Sequence, residues 1–410
     1  MQNSDYIWDN MEWKKYRRDS IHSMHAMCSY LAMFPPTLPR FFIKTFSNEG
    51  DVIFDPFSGR GTTAFEACIN NRIGIGNDLN PLATILTSAK TNIPKKYKIF
   101  KRIDELELGY KGQNIENVDE HIKVLFDNET TLPQLVYLKN TLDISRKVDR
   151  FIMAVLLGIL HGKTRKDGTS MYLSISMPNT FSMSPNYINK YINEHKLIPP
   201  KQNVFECLRV RLKNLFRDDL SNYREGKSYC KDAVKINYDR RIFKDKSVDL
   251  IITSPPYLKV INYGTYNWIR LWMLNESSKI VDERLKQNRI FSINEDLKLK
   301  DNLVLEKYLE FMKDVILGWE RILKDDGMAF VVIGDVSNYN GRYIKLANEV
   351  WEFIRGKTNL NFVDIIEDPI DNKTKVTKIW GNNKKGNATK IDRILILSKD
   401  KPRKPNINYN

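Results

Sequence analysis

A hydroxyl, a proline carbonyl and an aromatic face stand side by side in Ser254-Pro255-Pro256-Tyr257. A planar base with an exocyclic amine suits that set: the amine donates to the two oxygens while the ring stacks on Tyr257. Such an amine is a poor nucleophile because its lone pair is delocalised, and two acceptors favour a pyramidal nitrogen. The element that must carry these groups comes just before them. Val248-Asp249-Leu250-Ile251-Ile252 is an apolar run that reads as a buried strand ending at Thr253. The prolines fix φ and remove donors, so the ladder stops and the chain turns. That places the turn at the C-terminal edge of a sheet, where open α/β folds hold ligands.

A second constellation supplies a cofactor site. Val52-Ile53-Phe54-Asp55-Pro56-Phe57-Ser58-Gly59-Arg60-Gly61-Thr62-Thr63 runs from a short strand into a glycine turn, and the helix-like Ala64–Cys68 follows. About twenty residues past the start of the turn comes a second strand, within Ile73-Gly74-Ile75-Gly76-Asn77-Asp78-Leu79-Asn80-Pro81, which carries Asp78 at its end. Glycines admit close approach of a ligand to the backbone, and an acid at the next strand tip suits ribose hydroxyls. The turn is not GxGxxG. The carboxylate of Asp55 would repel a pyrophosphate, but it suits the cationic amino-acid end of S-adenosylmethionine (AdoMet).

DPFSGRGTT and TSPPY together resemble the amino-methyltransferases of DNA, which methylate cytosine N4 or adenine N6 with AdoMet. Ala32–Pro39 resembles the N-terminal AdoMet-binding segment of that family, Tyr229–Ala233 its third strand, and Leu323–Asp335 a later helix–turn–strand. The resemblance implies an α/β fold: a Rossmann-like class I AdoMet-methyltransferase sheet ending in an antiparallel hairpin, with a mainly helical inserted region. It implies that Asp55 and Gly59 hold the methionine end, Asp78 the ribose and Asp232 the adenine, with Phe34 and Pro35 packed nearby and Pro56, Phe57, Gly61 and Thr62 completing the cofactor set. Ser254, Pro255, Pro256 and Tyr257 are then the catalytic group. S-adenosylhomocysteine is the product, and no metal is needed.

Serine in the first motif position resembles the cytosine-N4 enzymes more than the adenine-N6 enzymes, which usually carry Asp or Asn. Cytosine-N4 is therefore the expected target and adenine-N6 the alternative. Cytosine-C5 chemistry needs a nucleophilic cysteine, typically after proline, and the chain has no Pro-Cys pair. An RNA methyltransferase and a non-catalytic AdoMet- or DNA-binding regulator remain competing readings. The cofactor strand precedes the catalytic strand, whereas many enzymes with SPPY place the catalytic motif first.

Composition bounds the partners. The net charge of +15 and a pI near 9.4 favour a polyanion, here duplex DNA. Cys28, Cys68, Cys207 and Cys230 are scattered without a CxxC pair, which argues against zinc and against a disulfide framework. His22 and His25 stand at helical spacing, but no acid or cysteine nearby in sequence completes a metal site. No apolar run reaches membrane-spanning length and no signal segment opens the chain, so a cytoplasmic, nucleoid-associated protein is expected. The resemblance also implies a restriction–modification setting with a separate cognate endonuclease. A monomer or weak dimer would suffice.

The expected organisation is an N-terminal arm and cofactor part (1–95), a helical target-recognition region (96–225), a catalytic part (226–400) and a disordered tail (401–410). Within the inserted region, Leu135–Leu142 and Phe151–Leu160 show the clearest helical patterns, and Leu208–Arg217 reads as a basic amphipathic helix. Its polar stretches hold Lys163, Arg165, Lys166, Asn179 and Asn186, residue types that contact phosphates and base edges. Further on, Asn262–Leu274 and Val304–Leu323 are predicted helices. Met328–Ile333 is a predicted strand, Ile344–Ile354 a helix, and Phe362–Ile366 with Arg393–Leu397 a hairpin.

Overall fold

The computed structural model describes residues 12–14, 21–31, 34–165, 169–256, 263–289, 301–337, 343–369 and 391–406. Nine strands are found among them: β1 (Val52–Asp55), β2 (Ile73–Asn77), β3 (Lys227–Tyr229), β4 (Val248–Thr253), β5 (Leu323–Gly334), β6 (Val336–Ser337), β7 (Tyr343–Ile344), β8 (Asn361–Pro369) and β9 (Ile391–Ser398). Seven build one sheet in the order β3-β2-β1-β4-β5-β9-β8, and β6 pairs with β7 separately. The first five positions are parallel, and β9 runs antiparallel between β5 and β8. This is the expected Rossmann-like order with its terminal hairpin. The chain builds outward from β1 to β3, then returns to the other side of β1. The switch point between β1 and β4 is where such sheets open a ligand crevice.

Alternation along the strands sorts the two faces. Ala329, Val331, Ile333, Leu395 and Leu397 pack on Tyr308, Met312, Val315 and Trp319 of the long helix Asp301–Ile322. Phe330, Val332, Ile394 and Ile396 face the opposite way, onto Phe41, Phe42 and Phe46 of the helix Thr37–Phe46. Phe42 stacks on Phe330 at 4.2 Å between ring centres.

The stretch between β2 and β3 is mainly helical, with the helices Lys96–Gly109, Thr131–Thr141, Lys147–Ile159, Pro185–His195 and Val204–Leu215. Its apolar faces join the helix Pro81–Thr91 in a single cluster that holds Phe65, Leu86, Phe151, Val155 and Leu208. Entry and exit of this stretch are fastened together. The Gly226 N–H donates to the Thr91 carbonyl at 2.7 Å, and the Tyr223 hydroxyl donates to the Lys90 carbonyl at 3.0 Å while accepting from the Ile93 N–H at 3.1 Å.

Several local expectations are revised. β5 begins at Leu323, not Met328, because Leu323 already pairs with Val248 and a bulge absorbs the intervening turn. Tyr343–Ile344 is a short strand, so the following helix starts at Leu346. Asn262–Leu274 is a 3-10 turn, Thr265–Asn267, leading into a short helix, Trp268–Met273; Asn262 lies outside the described residues. The basic helix spans Val204–Leu215, and its Arg209 pairs with Asp104, Glu107 and Glu206.

The tail through Asn406 is docked, which corrects the expectation of disorder. Arg403 reaches Asp51 at 2.7 Å, Asp249 at 2.6 Å and Asp326 at 3.0 Å, and the Asn406 N–H donates to the Thr45 carbonyl. Burial alone would raise the Asp249 carboxyl, but the Lys324 ammonium, the Val52 N–H and the Arg403 guanidinium outweigh it and hold the group below its usual range. Three acids far apart in sequence thus converge on one arginine beyond the last strand. Arg403→Ala is expected to cost about 1–3 kcal/mol in urea unfolding at neutral pH, with Lys324 left to share Asp249. A depressed carboxyl stabilises the fold above its unfolded pKa and loses that contribution as pH falls through the lower folded value. The gap between variant and parent should therefore shrink on acidification below about pH 4.

Candidate active site

β1, β2 and β4 end on the same edge, and their tips are cross-linked. Asp55, 2% exposed, closes β1. Its Oδ1 accepts the Thr253 hydroxyl of β4 at 2.6 Å and the Phe57 N–H at 3.1 Å. Burial pushes this carboxyl up to about 7; the Thr253 hydroxyl and the Phe57 N–H oppose the shift, and the nearby charge of Asp78 adds to it. The Thr253 tie seats Ser254-Pro255-Pro256 beside the Pro56–Gly61 turn, at the switch point. Pro255 is buried, and Ser254 and Pro256 are half-buried. Tyr257 lies outside the described residues.

The glycine turn is shaped by conformation and by an acid. Gly59 and Gly61 have φ of +49° and +77°. A Cβ on Gly61 would stand 2.8 Å from Thr87 Cα, whereas one on Gly59 would meet Tyr30 at an ordinary 3.5 Å. Asp78 Oδ2 accepts the Gly59 N–H and its Oδ1 the Asn80 N–H, both at 2.9 Å. Gly61 leads into the helix Thr62–Ile69, with Thr62 buried at its first position. Phe57 packs beside Phe311, and Phe34 lies half-buried against the cluster that contains Ile53, with Pro35 exposed next to it.

One site feature was not foreseen, and the third strand is displaced from the expected Tyr229–Ala233 to Lys227–Tyr229, which leaves Asp232 beyond its end. Asn77, fully buried, donates to the Pro56 and Lys231 carbonyls and accepts the Lys231 N–H. One amide thereby joins the turns after β1 and β3 to the end of β2; the signal was a lone polar residue closing a glycine strand. Asp232 stands three residues beyond β3, in a turn, and its Oδ1 caps the 3-10 turn Lys235–Tyr238 through the Val234 and Lys235 N–H groups at 2.8 and 3.1 Å. The N-terminal segment is tied in by His25, whose Nε2 meets Glu66 Oε1 at 2.7 Å; Arg40 Nε donates to Oε2 of the same acid at 2.9 Å. Burial lowers His25 to about 4, so the ring is neutral and its Nε2 carries the proton that Glu66 accepts.

The expected nucleic-acid residues divide. Lys163, Arg165 and Asn186 are exposed, and Lys166 lies outside the described residues. Asn179 is turned inward: its side chain accepts the Lys163 N–H at 2.6 Å and donates to the Tyr172 hydroxyl at 3.0 Å. Its carbonyl accepts from Arg270 at 2.8 Å. Arg270 is fully buried and also donates to the Leu157 carbonyl, to Asn267 and to Ser29. One guanidinium thus joins the inserted helices, the N-terminal segment and the short helix after the Ser-Pro-Pro turn.

This sheet order and these strand tips define a class I methyltransferase fold. A family model described as DNA methylase, for the N6 and N4 enzymes, matches residues 2–85 and 248–410, and the chain belongs to that family. The chain is 24% identical to the type II methyltransferase M.MvaI of Kocuria varians over 75% of its own length and 70% of the relative's. It is 23% identical to the type II methyltransferase M.MjaII of Methanocaldococcus jannaschii, over 88% and 79%. Among solved structures it is similar to the cytosine-N4-specific PvuII DNA methyltransferase, at 16% identity and a TM-score of 0.29, over 44% of this chain and 52% of that one. The matched blocks leave out 86–247, which contains the inserted helices.

Proposed function

We propose that the chain transfers a methyl group from AdoMet to cytosine N4 in duplex DNA, as the methylase of a restriction–modification pair. The observation that carries this reading is the Thr253–Asp55 hydrogen bond, which fastens an amine-binding turn to a cation-binding strand tip. The pocket chemistry fits AdoMet: a buried carboxyl and a second acid, Asp78, flank a glycine turn. When bound, AdoMet supplies an electrophilic methyl on a sulfonium, and S-adenosylhomocysteine is left after transfer. Asp55 faces the cationic amino-acid end, Asp78 the ribose and Asp232 the adenine. The Ser254 hydroxyl and the Pro255 carbonyl accept from the exocyclic amine and localise its lone pair on nitrogen. As the N–C bond forms, one amine proton is lost through these acceptors to water. Orientation supplies much of the rate. In a duplex the amine is engaged in pairing, so the base must leave the stack and lie on Tyr257. The serine in the first motif position supports cytosine, and the type II names of two relatives support the restriction–modification setting, with a separate endonuclease.

Mass spectrometry of nucleosides from unmodified duplex incubated with protein and AdoMet tests this. N4-methylcytosine is the expected product. N6-methyladenine would keep the mechanism and replace the base. Methylation of RNA alone would overturn the DNA reading, and tight AdoMet binding without any transfer would favour a regulator.

Asp55 adds a pH test. A carboxyl near 7 is largely protonated at pH 6, and a cationic ligand must displace that proton. AdoMet affinity should rise with pH between about 5.5 and 7, by up to about tenfold per unit, and level off above. Calorimetry near pH 7 in buffers of different ionisation heat should show proton release on binding. Asp55→Asn should bind weakly at every pH and release none. A flat profile in the parent protein would remove Asp55 from the cation site.

A further inference from the structure

Contacts beyond the strand tips run from the cofactor turn to the far end of the catalytic segment. Tyr30, 5% exposed, lies against Gly59, and its hydroxyl accepts from Asn80 Nδ2 at 2.9 Å. Its ring stacks on Tyr263, with centres 5.7 Å apart and planes within 17°. Tyr263 opens a turn whose next residues are held by one buried carboxylate. Asp282 accepts the Gly264 N–H at 2.7 Å, the Thr265 N–H at 2.8 Å and the Thr265 hydroxyl at 2.7 Å. Gly264 is required there, since a Cβ would stand 2.2 Å from the Ser278 carbonyl.

The sequence between these anchors is short. Six residues, 257–262, separate Pro256 from Tyr263. Asp55 fixes the near end through Thr253, and Asp282 fixes the far end through Gly264 and Thr265. We propose that Tyr30 and Tyr263 are a positioning pair: their stack registers the far end of the Tyr257 segment on the glycine turn, so that methyl transfer depends on the stack more than cofactor binding does. This rests on the reading of Ser254–Tyr257 as the base-holding segment. Neither tyrosine touches the reacting atoms. Their effect is geometric, and misplacement by about 1 Å can cost on the order of a hundredfold in rate.

The test is single-turnover methyl transfer to duplex DNA, run beside AdoMet calorimetry and thermal melting, for Tyr263→Leu and Tyr263→Phe, with Tyr30→Leu and Tyr30→Phe as a second pair. Tyr263→Leu should lose about 10- to 100-fold in transfer rate with AdoMet affinity and melting little changed; Tyr30→Leu should lose as much in rate while also melting lower, because Asn80 loses the Tyr30 hydroxyl, and the phenylalanine variants should recover most of the rate because the ring remains. The proposal is overturned if a folded leucine variant transfers at the parental rate. It is also overturned if the rate falls only in step with AdoMet affinity, or if phenylalanine fails to rescue. Should one leucine variant not fold, the other position gives the same readout. A parent protein that methylates no DNA would instead overturn the functional reading itself.

Discussion

Ser254→Ala combined with Tyr257→Ala is expected to lower single-turnover methyl transfer by about a thousandfold or more while AdoMet still binds. The serine removes one of two acceptors that localise the amine lone pair, and positioned hydrogen bonds of this kind are worth about 10²–10³ in rate. The tyrosine removes a stacking platform worth about 1–3 kcal/mol for an extrahelical base. Ser254 is half-buried and Thr253, not Ser254, carries the tie to Asp55, so the strand tip should survive the change. Calorimetry with AdoMet separates the outcomes. Lost transfer with retained binding places both residues at the target base, and lost binding would place them in the cofactor site.

The second large effect falls on the cofactor turn, where two glycines respond differently. Gly61→Ala combines a left-handed φ of +77° with a Cβ 2.8 Å from the Thr87 backbone, so the turn must open. A loss of about 3 kcal/mol or more in stability and of measurable AdoMet binding is expected. Gly59→Ala shares the left-handed conformation but meets only the Tyr30 ring at 3.5 Å. Its cost should stay near the intrinsic penalty of about 1–2 kcal/mol, with binding weakened but measurable. Urea unfolding and calorimetry on the two variants check the contrast, and equal behaviour would mean that Thr87 yields.

The central strands were legible because each is a short, mainly apolar run stopped by an unmistakable breaker. Val248–Thr253 meets two prolines, Val52–Asp55 a proline and a glycine turn, and Ile73–Asn77 a proline after Asp78-Leu79-Asn80. Asp55, Asp78 and Ser254 could be placed at one edge because strand ends in a parallel sheet share that edge. What stayed hidden are partners brought together by topology. Nothing near Thr253 in sequence announces Asp55, 198 positions away. Tail residue Arg403 looks like a solvated charge until Asp51, Asp249 and Asp326 are assembled around it. Asn179 read as a base-contacting side chain because exposure cannot be judged from a polar stretch, and its amide instead holds the local backbone. Asp282 sits on a charged helix, and only folding shows that it faces inward.

The fastening of Thr91 to Gly226 bears on how such proteins diversify. Between these residues the chain leaves the helix Pro81–Thr91, forms the helical stretch and returns, just before β3, to within a hydrogen bond of its departure point. The ends of any replacement segment are therefore already juxtaposed, and lengthening it adds only a slowly growing closure entropy. What a replacement must preserve is a cover for Leu82, Leu86 and Ala89, the apolar side of the helix that leads into it. A lineage could then trade this stretch whole while Asp55, Asp78 and Ser254, which lie outside it, stay under separate selection.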